Sequence, residues 1–196
     1  MTICIFGDSI TWGAIDCEKG GWAERLKMHL LSTQDDVWVH NLGIPDDSAD
    51  DVIKRLESEA EARNPDVIIF AIGMNDAYKY KGEKRTPIEE FRKNIEILTS
   101  KAKRITDKIA FVGLTNVDES KTDPYPWDEN ISSSNEDIAQ YDDAIEFFCK
   151  NNNLPYVEMI GVLDNEDLCD GLHPTPEGHE KMFQKIEKEI GHLWKE

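Results

Sequence analysis

A fivefold alternation of two hydrophobic patterns constrains this chain more than any other feature of its 196 residues. Short, largely β-branched runs occur at Ile3 to Phe6, Val37 to Leu42, Val67 to Ile72, Ile109 to Leu114 and Pro155 to Met159. They are continuous rather than alternating, as in strands buried on both faces. Between and after them, apolar residues recur at helical spacing: Trp22, Leu26 and Leu30, then Val52, Ile53, Leu56 and Ala60, then Phe91, Ile95, Leu98 and Ala102. Two more sets follow, Ile138, Tyr141, Ile145 and Phe148, and Met182, Phe183, Ile186 and Ile190. Each helix has a polar opposite face and so covers something on one side only. Strand-helix units repeated in this way give an α/β fold, a parallel sheet covered on both faces and joined by right-handed crossovers. One domain spanning 1–196 is expected, a length that supports one core and leaves no room for a second.

Two helix starts are written into the sequence. Thr86-Pro87-Ile88-Glu89 combines an N-cap threonine, proline at the first helical position and a capping-box glutamate, and Ser48-Ala49-Asp50-Asp51 is a similar start. Open parallel sheets bind ligands beyond the C-terminal ends of their strands, and Ser9, Gly43 and Asn75 all fall there. The connection 116–134 is too long for a plain turn and carries Tyr125 and Trp127 in a Pro-Tyr-Pro-Trp stretch. It reads either as a cap over the site or as a surface loop pinned by its aromatics.

Forty acidic against twenty-two basic side chains give a formal charge of −18, which repels nucleic acid and anionic lipid. Neither is an expected partner. The N-terminus lacks a basic segment before its first apolar run, and no apolar run approaches a membrane span, so a cytoplasmic protein is expected. Cys4, Cys17, Cys149 and Cys169 form no C-x-x-C pair, and His29, His40, His179 and His192 share no ligand spacing. The thiols are expected to be reduced, with a disulfide or a reactive Cys169 as the lesser option, and neither metal nor cofactor is expected.

The residues that carry chemistry stand at the two ends of the chain. A serine hydroxyl is a weak nucleophile at neutral pH and needs a base to take its proton as it attacks. Ser9 follows the first strand, and His173 is the candidate base, with Asp170 three residues earlier to hold the other ring nitrogen and fix its tautomer. Either motif alone is weak, since D-x-x-H arises by chance and a serine at a strand end is often a helix cap. Acyl transfer also builds charge on a carbonyl oxygen, which needs donors. Gly43 offers a main-chain N–H after the second strand and Asn75 a side-chain amide after the third, the alternatives being a turn glycine and an Asx-turn asparagine.

Taken in order, Gly7 to Gly13 (Gly-Asp-Ser-Ile-Thr-x-Gly), Asn41 to Gly43, Gly73 to Asp76 and Asp170 to Pro174 resemble the motif set of the SGNH, or GDSL-type, hydrolase superfamily. The resemblance spans nearly the whole chain. It implies a flavodoxin-like three-layer α/β/α sandwich with a five-stranded parallel sheet. It also implies a triad of Ser9, His173 and Asp170, with oxyanion donors from Ser9, Gly43 and Asn75. Ile10 replaces the commoner leucine, and Pro45 and Asp46 stand where such proteins often carry a small residue and then a glycine, a departure that bears on the loop's shape and the width of the acyl pocket and is expected to leave the three donors untouched.

The implied activity is that of a serine esterase acting on a small acyl ester through an acyl-enzyme, with short-chain esters or O-acetyl carbohydrates favoured. Alternatives are a thioesterase or lysophospholipase-type acylhydrolase, and a catalytically silent flavodoxin-like binding module. Self-association is left open. The basic stretch Lys79 to Arg85 reads as a solvated loop, with attraction of an anionic substrate as the alternative. Trp12, three residues beyond Ser9, is expected near the site, Trp22 and Trp38 in the core or pocket wall, and His179 in a packing or capping role.

Overall fold

Five parallel strands build the central sheet of the computed structural model, which describes residues 1–194. They are β1 (Thr2–Gly7), β2 (Trp38–Gly43), β3 (Val67–Ala71), β6 (Lys108–Val112) and β8 (Tyr156–Val157), in the order β2-β1-β3-β6-β8. All five expected strands form. The last is cut to two residues, at a sheet edge where the preceding Pro155 contributes only its carbonyl, to the Phe111 N–H. The helices α2 (Gly21–Thr33) and α8 (Pro176–Ile190) pack together on one face, and α3 (Ala49–Glu61), α5 (Ile88–Ala102) and α7 (Asn135–Asn152) form a row on the other.

The strand register explains the core. Phe6, Phe70 and Phe111 are register partners on β1, β3 and β6, with ring centroids 6.0 and 5.2 Å apart. All three are fully buried, each contributing roughly 1.5–3 kcal/mol by leaving water. Phe148 on α7 closes one end of the row and the Arg55 guanidinium on α3 covers the other. Trp22 is wholly buried, but Trp38 opens the edge strand β2 and is 66% exposed, so it is not a core residue.

One helix start is as expected and one is shifted. Ser48 caps α3 in a full capping box with Asp51. Before α5 the cap position is Pro87, with no side-chain cap, because buried Thr86 belongs to the preceding loop and donates its N–H to the Asp76 carbonyl at 3.3 Å.

Strand order fixes where a site can form. The chain leaves β1 toward β2 on one side and returns to β3 on the other, so the segments after β1 and β3 diverge and open a crevice between them. Short helices α1 (Ser9–Trp12) and α4 (Met74–Ala77) fill that end of the sheet. A second, antiparallel sheet of two-residue strands, β4 (Lys79–Tyr80), β5 (Glu83–Lys84) and β7 (Ile131–Ser132), ties the segment after α4 to the 116–134 connection. That connection also holds the short helix α6 (Glu119–Thr122). Among the described residues, no helix is long and apolar enough to cross a membrane.

Candidate active site

Asp8 and Ser9 sit where β1 turns into α1. Asp8 caps the helix by accepting the Ile10 N–H at 2.9 Å, and Ser9 is the first helical residue. Asn41 anchors this turn to β2, its Nδ2 donating to the Thr11 carbonyl at 2.9 Å. The Ser9 N–H, in the first turn of the helix, has no acceptor in the protein among the described residues.

His173 lies in the loop before α8, whose start is fixed by the Thr175 cap and Pro176 in the first turn. Arg25 on α2 braces that start, donating to the Pro176 carbonyl at 2.8 Å and to Glu180 at 3.1 Å while also pairing with Asp16. The Asp170 carboxylate organises the loop. Its Oδ1 accepts the main-chain N–H groups of Leu172 (3.0 Å) and His173 (2.8 Å), and its Oδ2 lies 2.8 Å from His173 Nδ1. Burial works against the charged carboxylate, but the imidazole and the two N–H groups outweigh it and hold Asp170 down at about 2. The other ring nitrogen, His173 Nε2, lies 2.9 Å from Ser9 Oγ. Residues separated by most of the chain thus form a continuous Ser9–His173–Asp170 relay.

The relay opens on a cleft of about 330 Å³ lined by Ser9, His173, Asn75, Asp46, Tyr78 and Trp127, with Pro45, Met74, Tyr125, Ile131 and Leu172 completing the wall. Asn75, on α4, is 8% exposed and donates Nδ2 to the Asp47 carbonyl at 3.0 Å. The Tyr125 and Trp127 rings meet at a tilt of 33° with centroids 4.7 Å apart, and Trp127 lies 6.2 Å from the His173 ring. The 116–134 segment also holds the histidine loop directly, the Asp118 N–H donating to the Gly171 carbonyl at 2.9 Å.

Gly43 is the exception among the expected site residues. It does not line the cleft, and its N–H donates to Asn41 Oδ1 at 3.0 Å. A Cβ there would press on the Trp12 main-chain nitrogen and come within 2.8 Å of the Asp8 carbonyl. The glycine therefore allows close packing of β2 against α1, and its amide is occupied by the Asn41 side chain. Pro45 and Asp46 of that loop reach the cleft, and Asp46 is third in the turn Ile44-Pro45-Asp46-Asp47, which the Asp47 N–H closes on the Ile44 carbonyl at 3.1 Å. Pro45 in second place and a φ of +68° at Asp46 mark a turn of the type II kind. The Asp46 N–H has no acceptor in the protein among the described residues. The signal was the departure at this position, where a glycine-like backbone is met by an aspartate.

Other expected roles resolve simply. Trp12 is 55% exposed and outside the cleft. The basic stretch is not a free patch, since Lys79 and Lys84 pair with Asp137, and Arg85 with Asp46 and Asp51. All four cysteines are free; Cys4 and Cys149 are buried, and burial raises the exposed Cys169 thiol, the opposite of a reactive one. His179 is buried and accepts the Trp22 N–H at 3.3 Å, joining α8 to α2.

Asp8 carries a stability signature. Burial pushes its carboxyl up to about 6, against the Ile10 N–H and His173, which favour the charged form. A carboxyl raised from 3.8 in the unfolded chain is fully stabilising below that value and loses its contribution as pH rises through 6. Asp8→Asn keeps the cap but removes the titration. Its stability is expected to exceed that of the wild type at pH 7.5 by up to about 3 kcal/mol and to match it more closely at pH 4. Urea denaturation at the two pH values checks this, and a difference that is the same at both contradicts it.

Comparison with known proteins gives a consistent result. The family model described as GDSL-like Lipase/Acylhydrolase family matches residues 5–181. A GDSL esterase/lipase of Arabidopsis thaliana is 25% identical over 206 residues, covering 96% of this chain and 85% of the relative. An isoamyl acetate-hydrolyzing esterase of Schizosaccharomyces pombe is 24% identical over 201 residues, covering 99% and 76%. Among solved structures, a lipase/acylhydrolase from Enterococcus faecalis superposes with a TM-score of 0.79 at 24% identity, covering 97% of this chain and 95% of that one. An acetylxylan esterase from Geobacillus stearothermophilus does so with a TM-score of 0.78 at 21% identity, covering 97% and 94%.

Proposed function

The chain belongs to the GDSL-like lipase/acylhydrolase family, and from that premise we propose that it hydrolyses small acyl esters, acetyl esters first among them, with Ser9 as nucleophile. The observation that carries this reading is the Ser9–His173–Asp170 relay at the floor of a small cleft. Ser9 Oγ attacks the ester carbonyl carbon as His173 Nε2 takes its proton, and Asp170 stabilises the imidazolium that results. The tetrahedral intermediate collapses with the His173 proton passing to the departing alkoxide, leaving an acyl-Ser9 ester. Water then attacks that ester as His173 takes its proton, and the second tetrahedral intermediate expels Ser9 Oγ, which takes the proton back from His173 as the acid is released.

Charge on the carbonyl oxygen needs donors fixed before the reaction begins. We assign these to the Ser9 N–H, the Asn75 side-chain amide and the Asp46 N–H, in place of Gly43. The two main-chain donors have no acceptor in the protein among the described residues, and Asn75 is held by Asp47, next to Asp46 in the same turn.

The acetyl preference rests on size and surroundings. A volume of about 330 Å³ is at the small end for ligand pockets, roughly 300–1,000 Å³. The exposed Trp127 ring beside His173, backed by buried Tyr125, suits an alcohol portion with an apolar face, as a sugar ring has. Two of the proteins described above are named for acetyl esters. A formal charge of −18 opposes work at an anionic lipid surface. Initial rates on p-nitrophenyl acetate and octanoate, with Ser9→Ala as control, test the reading. Ser9-dependent turnover favouring acetate by about tenfold or more, the size of step that apolar pockets discriminate, is expected. A preference for octanoate contradicts the small-acyl assignment.

A further inference from the structure

Asp46 places a carboxylate on the residue whose N–H serves the oxyanion, where an unneutralised negative charge opposes the charge that develops in the transition state. The protein answers this with Arg85. Its Nη1 lies 2.6 Å from Asp46 Oδ1 and donates to the Tyr78 hydroxyl at 3.0 Å, and its Nη2 lies 3.3 Å from Asp51 at the start of α3. The guanidinium covers the Tyr78 ring at 5.2 Å, and the Arg85 N–H donates to the Tyr78 carbonyl at 3.0 Å. Arg85 is thus held by β5's end of the small sheet, by a cleft wall residue and by α3, and from there it grips the one side chain of the Ile44–Asp47 turn that bears on the oxyanion. Asp46 also needs that grip for backbone reasons, since a φ of +68° is strained for a residue with a Cβ and costs glycine nothing.

Resting on the site reading above, we propose that Arg85 is a positioning residue for oxyanion stabilisation: it neutralises the Asp46 carboxylate and pins the turn so that the Asp46 N–H faces the reacting carbonyl. The arrangement replaces the glycine that this turn otherwise favours with an Asp46–Arg85 pair. The pair is therefore coupled, and Arg85 matters for rate only while residue 46 carries a carboxylate. Because Asp46 is 72% exposed, the ion pair itself adds little to global stability, so its effect belongs in kcat rather than in the melting temperature.

The test is a double-mutant cycle on the full chain with p-nitrophenyl acetate. Arg85→Met is expected to lower kcat about tenfold with KM changed less than twofold. Asp46→Gly, which keeps the main-chain N–H and removes the carboxylate, is the second background, in which adding Arg85→Met is expected to change kcat less than twofold relative to Asp46→Gly. Folding of Arg85→Met is followed by circular dichroism, and rescue by Asp46→Gly separates lost positioning from general damage, which a second substitution does not repair. Equal losses from Arg85→Met in both backgrounds, or no loss in the wild-type background, overturn the inference while leaving the Ser9 reading in place. Turnover that survives Ser9→Ala overturns the site reading and this inference with it.

Discussion

Ser9→Ala is expected to lower kcat for ester hydrolysis by at least about 10⁴-fold, and His173→Ala by a similar factor, while the double variant is scarcely worse than either. The reason is geometric. His173 Nε2 has Ser9 Oγ at 2.9 Å, and the opposite ring nitrogen is committed to Asp170, so base and nucleophile act as one unit. Once the hydroxyl is gone the base has no proton to take, and once the base is gone the hydroxyl is an ordinary alcohol. Losses that add on a logarithmic scale contradict a shared step. Both substitutions remove atoms facing the cleft, so thermal unfolding is expected to stay close to wild type.

Asn75→Ala is expected to reduce kcat by about 10²–10³-fold with little change in KM, because a donor aimed at developing charge contributes mainly in the transition state. Asn75 has a second duty, the 3.0 Å hydrogen bond from Nδ2 to the Asp47 carbonyl, which braces the turn that carries Asp46. Its loss disturbs two of the three proposed donors together and favours the upper part of that range. Steady-state kinetics decide the matter. A raised KM with kcat intact assigns Asn75 to substrate binding instead.

The fold was legible because parallel strands buried on both faces leave continuous apolar runs. Ile3 to Phe6 and Val67 to Phe70 could be read without any knowledge of their partners. The small antiparallel sheet could not. Lys79–Tyr80 and Glu83–Lys84 are two-residue polar strands that pair with each other, and the third strand, Ile131–Ser132, arrives from a distant segment, a distance that also hid Asp137 as the counter-charge to Lys79 and Lys84. Ser9, Asn75, Asp170 and His173 were legible from their motifs, and the structure brings Ser9, His173 and Asp170 into one relay, with Asn75 in the wall of the cleft beside it.

Gly43 is ambiguous for a physical reason. A glycine signals close approach without saying what approaches, and here the neighbour is the backbone of α1 rather than a ligand. Asp46 was hidden by the reverse effect, a side chain on a backbone conformation that usually advertises itself with glycine. Trp12 shows that nearness in sequence is not nearness in function, since a helix begins at Ser9 and carries the indole out to solvent.

The central claim is that Ser9 carries the acyl group. The most direct measurement is reaction of the full chain with a fluorophosphonate, which phosphonylates an activated serine with loss of fluoride, followed by intact mass and peptide mapping. A single adduct on Ser9, formed in step with loss of esterase activity and absent from His173→Ala, is the predicted result. Activity that persists without an adduct on Ser9, or an inactivating adduct on another residue, contradicts the account.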